Sequence, residues 1–373
     1  MTEVLQTKPA TGLCSTCYRE LYATIEYRSD GAAYITKTCP EHGYEEFMVE
    51  RDWQFWEDSS ETIPDGATRI HYFDDTAIEV TDRCNVMCKH CYHIPDNTIE
   101  DMSTEWVIAK ARSVITGGVT LMGAEPTMRS DLPYIIKEIQ DPNSKFRGST
   151  KDVTIYTNAI KFEDINYVKE LIDAGLKTIC LSVHNENYHK IGIWKKVKKA
   201  LANIRDLQAF GIGQISFTVE CKKDVEDAVD KILWLKGENI IPGNYCIRSS
   251  AEIGTPIGDE IFTSEIYKWV EEIAKERGLS FKKHSNGGNK PYHVAVFLED
   301  VFVQVIHWAG VKNVDTTFMN FGPYASFVPN TVGSLHLQII LRDGWKKGWW
   351  QGQRLAPAES HVKFFNRIKN KSK

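Results

Sequence analysis

Between residues 76 and 280, short apolar runs alternate with segments whose apolar positions recur every three or four residues. The runs "TAIEVT" (76–81), "GVTLMG" (118–123), "KDVTIYTN" (151–158), "LKTICLSVH" (176–184), "GQISFTVE" (213–220) and "NYCIRS" (244–249) read as strands. A helix near 103–115 and the patterns "DLPYIIKEI", "EDINYVKELIDAG", "IWKKVKKALANIRDLQAFG" and "VEDAVDKILWLKG" fill the intervals. Gly175, Gly211 and Gly237 stand where helix C-caps are expected. Six strands joined by helical crossovers predict an α/β fold, a parallel sheet curling into a partial (β/α)6 barrel. In such sheets ligands bind at the C-terminal ends of the strands.

The flanking regions differ in texture. Residues 1–75 carry short alternating runs such as "LYATIEYRS" and "AAYITKT" between Cys14, Cys17, Cys39 and His42. Residues 281–373 hold no cysteine and are rich in aromatics. There, "YHVAVFLEDVFVQVIHW" predicts a hairpin turning near Glu299-Asp300, and "GSLHLQIIL" a further strand. The expected organisation is a metal module over 1–75, the barrel over 76–280, and an aromatic-rich mixed α/β cap over 281–373 that closes the barrel mouth.

Composition narrows the classes. The 373 residues are 42% hydrophobic and 25% charged, ordinary globular values. A net charge of −5 gives no nucleic-acid footprint over the whole chain. No stretch approaches the roughly 18 apolar residues of a membrane-spanning helix. The first residues lack the apolar core of a signal peptide, so a cytoplasmic protein with reduced cysteines is expected. Clustering among its nine cysteines then points to metal.

The densest cluster is "VTDRCNVMCKHCYHI" (80–94), with Cys84, Cys88 and Cys91 directly after the first barrel strand. A structural zinc site normally takes four ligands, and disulfide frameworks take even numbers. Three thiolates suit an iron–sulfur cube with one iron left open to an outside chelator. "CNVMCKHCY" resembles the C-x3-C-x2-C loop of radical SAM enzymes, with aromatic His90 before the third cysteine. About 32 residues beyond Cys91, "LMGAEPTMRSDL" lies between a strand and a helix. It is similar to that family's G-G-E-P motif, with Ala124 in place of the second glycine.

The resemblance implies a [4Fe–4S] cluster on Cys84, Cys88 and Cys91, and S-adenosylmethionine (SAM) bound near His90, Gly123, Ala124, Glu125 and Pro126. It further implies one-electron cleavage of SAM to a 5′-deoxyadenosyl radical that abstracts hydrogen from substrate. Later strand ends offer further SAM contacts by analogy: Thr157 and Asn158, where Ala159 replaces the glycine of T-N-G, and Ser182 and Arg248, either of which could equally bind substrate.

"LCSTCYRE" and "KTCPEHG" give C-x2-C-x21-C-x2-H over Cys14, Cys17, Cys39 and His42, the donor set of a closed tetrahedral site. Zinc and rubredoxin-like iron fit it equally well, and a closed site implies structure rather than catalysis. Joined to the triad, this module resembles the group that contains tetraether lipid synthase and a pterin-related methylase. With no cysteine after Cys246, one catalytic cluster and no auxiliary one is expected, which counts against lipid cross-linking. Cys180, Cys221 and Cys246 are expected as buried apolar thiols. The resemblance also implies a reductant such as flavodoxin or ferredoxin, and a small-molecule, lipid-like or peptide substrate. Rearrangement, carbon–carbon coupling, epimerisation and dehydrogenation all stay open. The competing reading is a non-catalytic metal-binding scaffold that keeps the fold.

Overall fold

A computed structural model of the chain describes residues 2–14, 20–60, 75–88, 91, 95–98, 100–113, 117–183, 192–249, 261–286 and 293–306. Cys17, His90 and all of 307–373, including the "GSLHLQIIL" strand and most of the aromatic cap, lie outside the described residues.

The first part is a four-stranded antiparallel sheet in the order of the chain: β1 (Val4–Leu13), β2 (Glu20–Arg28), β3 (Ala33–Cys39) and β4 (Gly43–Glu50). β1 carries Pro9, which breaks the sequence signal. An edge strand tolerates it because one row of its backbone donors has no ladder partner. Helix α1 (Trp53–Ser60) follows.

The second sheet has nine strands. β5 (Asp75–Thr81), β6 (Gly118–Gly123), β7 (Asp152–Thr157), β8 (Thr178–Ser182), β9 (Gly211–Val219) and β10 (Asn244–Ser249) are parallel and lie side by side in chain order. Helices α2 (Thr104–Ser113), α3 (Leu132–Gln140), α4 (Ile165–Asp173), α5 (Ile193–Asp206), α6 (Lys222–Gly237) and α7 (Thr263–Glu276) connect them or follow them. The expected hairpin forms as β12 (His293–Leu298) and β13 (Val301–Ile306), with Glu299 and Asp300 both at positive φ, as a tight two-residue turn requires. β13 adds to the barrel sheet parallel to β10, and β11 (Phe281–Asn286) forms the edge beyond β12. β5 and β11 are opposite edges, so the sheet is open: a partial barrel. No helix among the described residues is long and apolar enough to cross a membrane.

Period-two alternation divides the strands between two surroundings. Val119, Leu121, Ile155, Leu181, Phe217 and Ile247 pack with the helices in one continuous core. On the other face stand Thr120, Cys180, Ser216, Thr218, Cys246 and Arg248, largely polar yet buried. Cys221 departs from expectation: it is exposed, at the N-cap of α6. Gly175 takes the left-handed cap conformation at φ +88. Gly211 instead opens β9 and Gly237 ends α6; the positive-φ residues after α5 and α6 are Gln208 and Asn239.

The N-terminal sheet is docked on the barrel. Its apolar face, including Ile25, Tyr27 and Ile35, forms one cluster with Trp56 of α1 and with Cys246 and Ile306 of the barrel sheet. Beside it Glu50, 2% exposed, accepts hydrogen bonds from Ser264 N (3.2 Å) and Ser264 Oγ (2.6 Å) in the first turn of α7. Asp52 pairs with Lys268 (2.8 Å) and Arg51 with Glu265 (3.2 Å) on the same helix. A buried carboxylate is stable there because the helix supplies unpaired N–H groups and the positive end of its dipole. Replacing Glu50 with Ala should lower unfolding stability by about 1–3 kcal/mol, because the Ser264 donors stay buried without an acceptor. Denaturant unfolding measures this; a change within error would show that the docking does not depend on Glu50.

Candidate active site and metal centre

The cysteine loop begins where β5 ends. Thr81 O accepts from Ala124 N and Arg83 O from Glu125 N, each at 3.0 Å. These two backbone amides lace the turn after β6 to the cysteine loop. Gly123 adopts φ +132, and a Cβ built on it would lie 2.3 Å from Thr81 O. Glycine is required here by the neighbouring strand, a reason local sequence does not reveal. Ala124 needs no positive φ, so its methyl group is tolerated. Pro126 opens a short 3₁₀ turn, Pro126–Met128, with Glu125 as its N-cap.

Glu125 is 1% exposed. Its Oε1 accepts from Thr127 N (3.1 Å), Thr127 Oγ1 (2.6 Å) and Thr157 Oγ1 (2.7 Å), and its Oε2 from Asn158 N (2.8 Å). Burial pushes its pKa above the ordinary carboxylate value, against the pull of these donors. The side chain is thus turned into the protein, fastening the turn after β6 to the end of β7. Ala159 takes φ 62, the left-handed value for which glycine is the usual choice; its amide donates to Thr157 Oγ1 (3.0 Å).

Cys84 is buried, and its sulfur accepts from Val86 N (3.4 Å). Asn97 Oδ1 holds the Cys84 amide (3.0 Å), and Cys91 N donates to Cys88 O (3.2 Å). Burial, then Glu125 and Cys91, push the Cys84 thiol up to about 12. Burial, then Cys91 and Cys84, push the Cys88 thiol up as well. Each sulfur is within electrostatic reach of the others, and such thiols ionise when a cation binds them. The donor set therefore fits an iron–sulfur cluster. Two groups sequence reasoning missed brace the loop. Arg83 and Thr81 Oγ1 both engage Asp101. Arg129, 2% exposed, donates to Val80 O (2.9 Å) and Met102 O (2.7 Å). Arg129 lies in the "GAEPTMR" run, so its place beside the motif was the available signal.

The remaining expected contacts are more dispersed. Ser182 ends β8, with its Oγ 3.5 Å from Ser216 Oγ. Arg248 is on β10, three strands from Thr157, on the face that carries Cys180 and Cys246.

In the N-terminal sheet, His42 Nδ1 lies 3.5 Å from Cys14 Sγ and 3.4 Å from Cys39 Sγ. Among the described residues these three form the His/Cys/Asp/Glu set whose ligand atoms all lie within 4.8 Å of one another. A tetrahedral zinc site, with Zn–S about 2.3 Å and Zn–N about 2.0–2.1 Å, has S···N edges of about 3.5–3.6 Å. The spacing fits a single ion. Burial would raise the Cys39 pKa, but backbone amides of Glu41 and His42, with His42 and Cys14 themselves, outweigh it and hold the thiol at about 6.

This geometry, a cysteine loop laced to a Gly-Ala-Glu-Pro turn at the strand ends of an open parallel barrel, has a counterpart in sequence. Residues 78–233 match the radical SAM superfamily, a match that implies a [4Fe–4S] cluster and SAM at this site. Residues 7–51 match the HMPTM N-terminal zinc ribbon domain, which with the Cys14, Cys39 and His42 grouping adds a further metal ion. Among curated proteins, the chain is similar to 7,8-dihydro-6-hydroxymethylpterin dimethyltransferase of Methanocaldococcus jannaschii, 31% identical over 201 residues, covering 47% of this chain and 38% of that protein. It is also similar to the probable GTP 3′,8-cyclase of Metallosphaera sedula, 26% identical over 211 residues, covering 54% of this chain and 62% of that protein. The chain thus spans less than two thirds of the length of either relative. Among solved structures, SuiB of Streptococcus suis aligns with a TM-score of 0.42 at 11% identity, covering 71% of this chain and 70% of that one.

Two substitutions test the geometry. Gly123→Ala should drive a methyl group into Thr81 O and part β5 from β6, lowering stability by more than about 1 kcal/mol and reducing iron uptake at the neighbouring loop. Ala124→Gly should stay within about 1 kcal/mol of the parent. Thermal unfolding and iron analysis of the two proteins decide it, and equal behaviour would mean that the Thr81 contact imposes no constraint. Separately, Cys39→Ser should remove about one metal ion per chain, the stoichiometry of a four-ligand site, and leave the iron of the Cys84 loop in place. Elemental analysis checks this; unchanged metal content would exclude Cys39 as a ligand.

Proposed function

We propose that Cys84, Cys88 and Cys91 hold one [4Fe–4S] cluster at which the chain reductively cleaves SAM in order to abstract hydrogen from a polar substrate. The observation that supports this most is the lacing of the cysteine loop to the 123–126 turn through Thr81 O and Arg83 O, with Glu125 carrying the link on to Thr157 and Asn158. When bound, the cluster supplies one electron that cleaves SAM, and the 5′-deoxyadenosyl radical so released takes a hydrogen atom from the substrate.

The protein's own groups do the rest. The backbone around Gly123 and Ala124 bounds the SAM site, while Glu125 holds that turn in place and Arg129 braces Val80 and Met102 beside the cysteine loop. His90, Asn158, Ser182 and Arg248 offer further contacts to SAM or substrate. Cys14, Cys17, Cys39 and His42 hold one structural zinc ion. A single-electron donor of the flavodoxin or ferredoxin kind serves as partner.

The face of the sheet turned away from the helices is lined by Ser216, Thr218 and Arg248, which favours a substrate rich in hydrogen-bonding groups over a hydrocarbon chain. By their names the two relatives act on a pterin and on GTP. Both molecules contain a 2-amino-4-oxopyrimidine ring, and we assign this chain a substrate of that ring type.

Anaerobic reconstitution with iron and sulfide, followed by dithionite and SAM, should release 5′-deoxyadenosine, and Cys88→Ala should release none. Full release by Cys88→Ala would sink the cluster assignment. Absence of release from a fully iron-loaded parent would favour the scaffold reading. Reduced pterins or GTP should raise the yield, whereas isoprenoid alcohols should not; the reverse pattern would overturn the substrate class.

A further inference from the structure

The side chain of Asn158 has a use that SAM binding alone does not explain. Its Nδ2 donates to Asn85 Oδ1 at 2.8 Å and lies 3.9 Å from the sulfur of Cys84. Its Oδ1 accepts from Ile160 N at 3.0 Å, which fixes which end of the amide faces the cysteine loop. Its backbone N–H is held by Glu125 Oε2 at 2.8 Å. The next residue, Ala159, sits in the left-handed region, a conformation that costs a non-glycine residue about 1–2 kcal/mol. Asn158 is thus anchored on three sides, with a hydrogen-bond donor aimed at Asn85 and Cys84.

We infer that Asn158 is a positioning residue for the cluster loop, holding Asn85 and presenting its amide N–H to the Cys84 sulfur, and that it thereby sets how readily a cluster bound there accepts an electron. The inference rests on the cluster assignment proposed above. The physical argument is electrostatic. A cluster gains one negative charge on reduction, and a donor aimed at a ligand sulfur stabilises the more negative state, raising the potential. The donors to Cys84 Sγ include the backbone amides of Val86 (3.4 Å) and Asn85, and Asn158 Nδ2. Of these, Asn158 Nδ2 belongs to a side chain and is open to substitution. Asn85 acts in the opposite sense. Its carbonyl oxygen, 3.9 Å from the same sulfur, occupies the Asn158 amide and places a partial negative charge near the cluster.

The experiment is an EPR-monitored redox titration of the full chain, reconstituted with iron and sulfide, with iron content measured on the same samples. Asn158→Ala should make the potential more negative at unchanged iron content. Asn158→Asp should lower it further, because a carboxylate then faces both the sulfur and Asn85 Oδ1. Asn85→Ala should shift it the other way, toward less negative values, while leaving the Asn158–Glu125 link intact. Potentials equal to the parent's in all three variants would overturn the inference while leaving the cluster assignment standing. Loss of iron in Asn158→Ala, combined with an unshifted Asn85→Ala protein, would overturn it too, making Asn158 part of cluster assembly. A parent chain that assembles no cluster would overturn the cluster assignment itself, and this inference with it.

Discussion

A carboxylate taken out of water must be met by donors, and at Glu125 that requirement organises the mouth of the barrel. Four donors converge on it, from the turn after β6 and from the end of β7. None can move independently, because each also belongs to a backbone segment already fixed by a strand end. The cysteine loop joins the arrangement through the amides of Ala124 and Glu125. Three loops from three neighbouring strands therefore share one geometry. Thr157 and Asn158 first concern the site as partners of Glu125, and Asn158 then carries the connection to Asn85 and Cys84.

Much of this was legible in the chain. The six barrel strands have strong apolar runs because both faces are covered, and "GVTLMG" and "NYCIRS" coincide with β6 and β10 residue for residue. The triad was legible because its spacing is chemically specific. Less visible were elements whose stability comes from elsewhere. β1 is interrupted by Pro9 and exists as the edge partner of β2. Helix α7 follows a stretch without an apolar period and is anchored by Glu50 from a distant segment. Gly123 looked like a place for ligand approach, whereas its demand comes from Thr81 across the sheet. Ala159 stands where T-N-G has glycine, and it holds the left-handed conformation all the same. In both cases the deciding contact lies in another strand or in a backbone angle, neither of which a linear pattern encodes.

The N-terminal module also differs from a simple appendage. A small closed metal site suggests a separable unit, yet Ile25, Tyr27, Ile35 and Trp56 share one apolar cluster with Cys246 and Ile306. The proposed metal ligands Cys14 and Cys39 lie in a smaller cluster with Leu21. The ion therefore secures one part of a sheet whose larger apolar face belongs to the barrel. That face meets the sheet on the side away from the helices, where Arg248 also stands.

This shared surface has a meaning for the order in which the chain acquires its structure. Glu50 and Ser264 are 214 residues apart in sequence. At a synthesis rate of about 5–20 residues per second, the ribbon's apolar face would wait roughly 10–40 seconds for its cover. During that interval its exposed apolar side chains are the kind of surface on which nascent chains associate. The metal site can form early, since its ligands fall within the first 42 residues, and a closed ion would hold the sheet together while its partner strands are still being made.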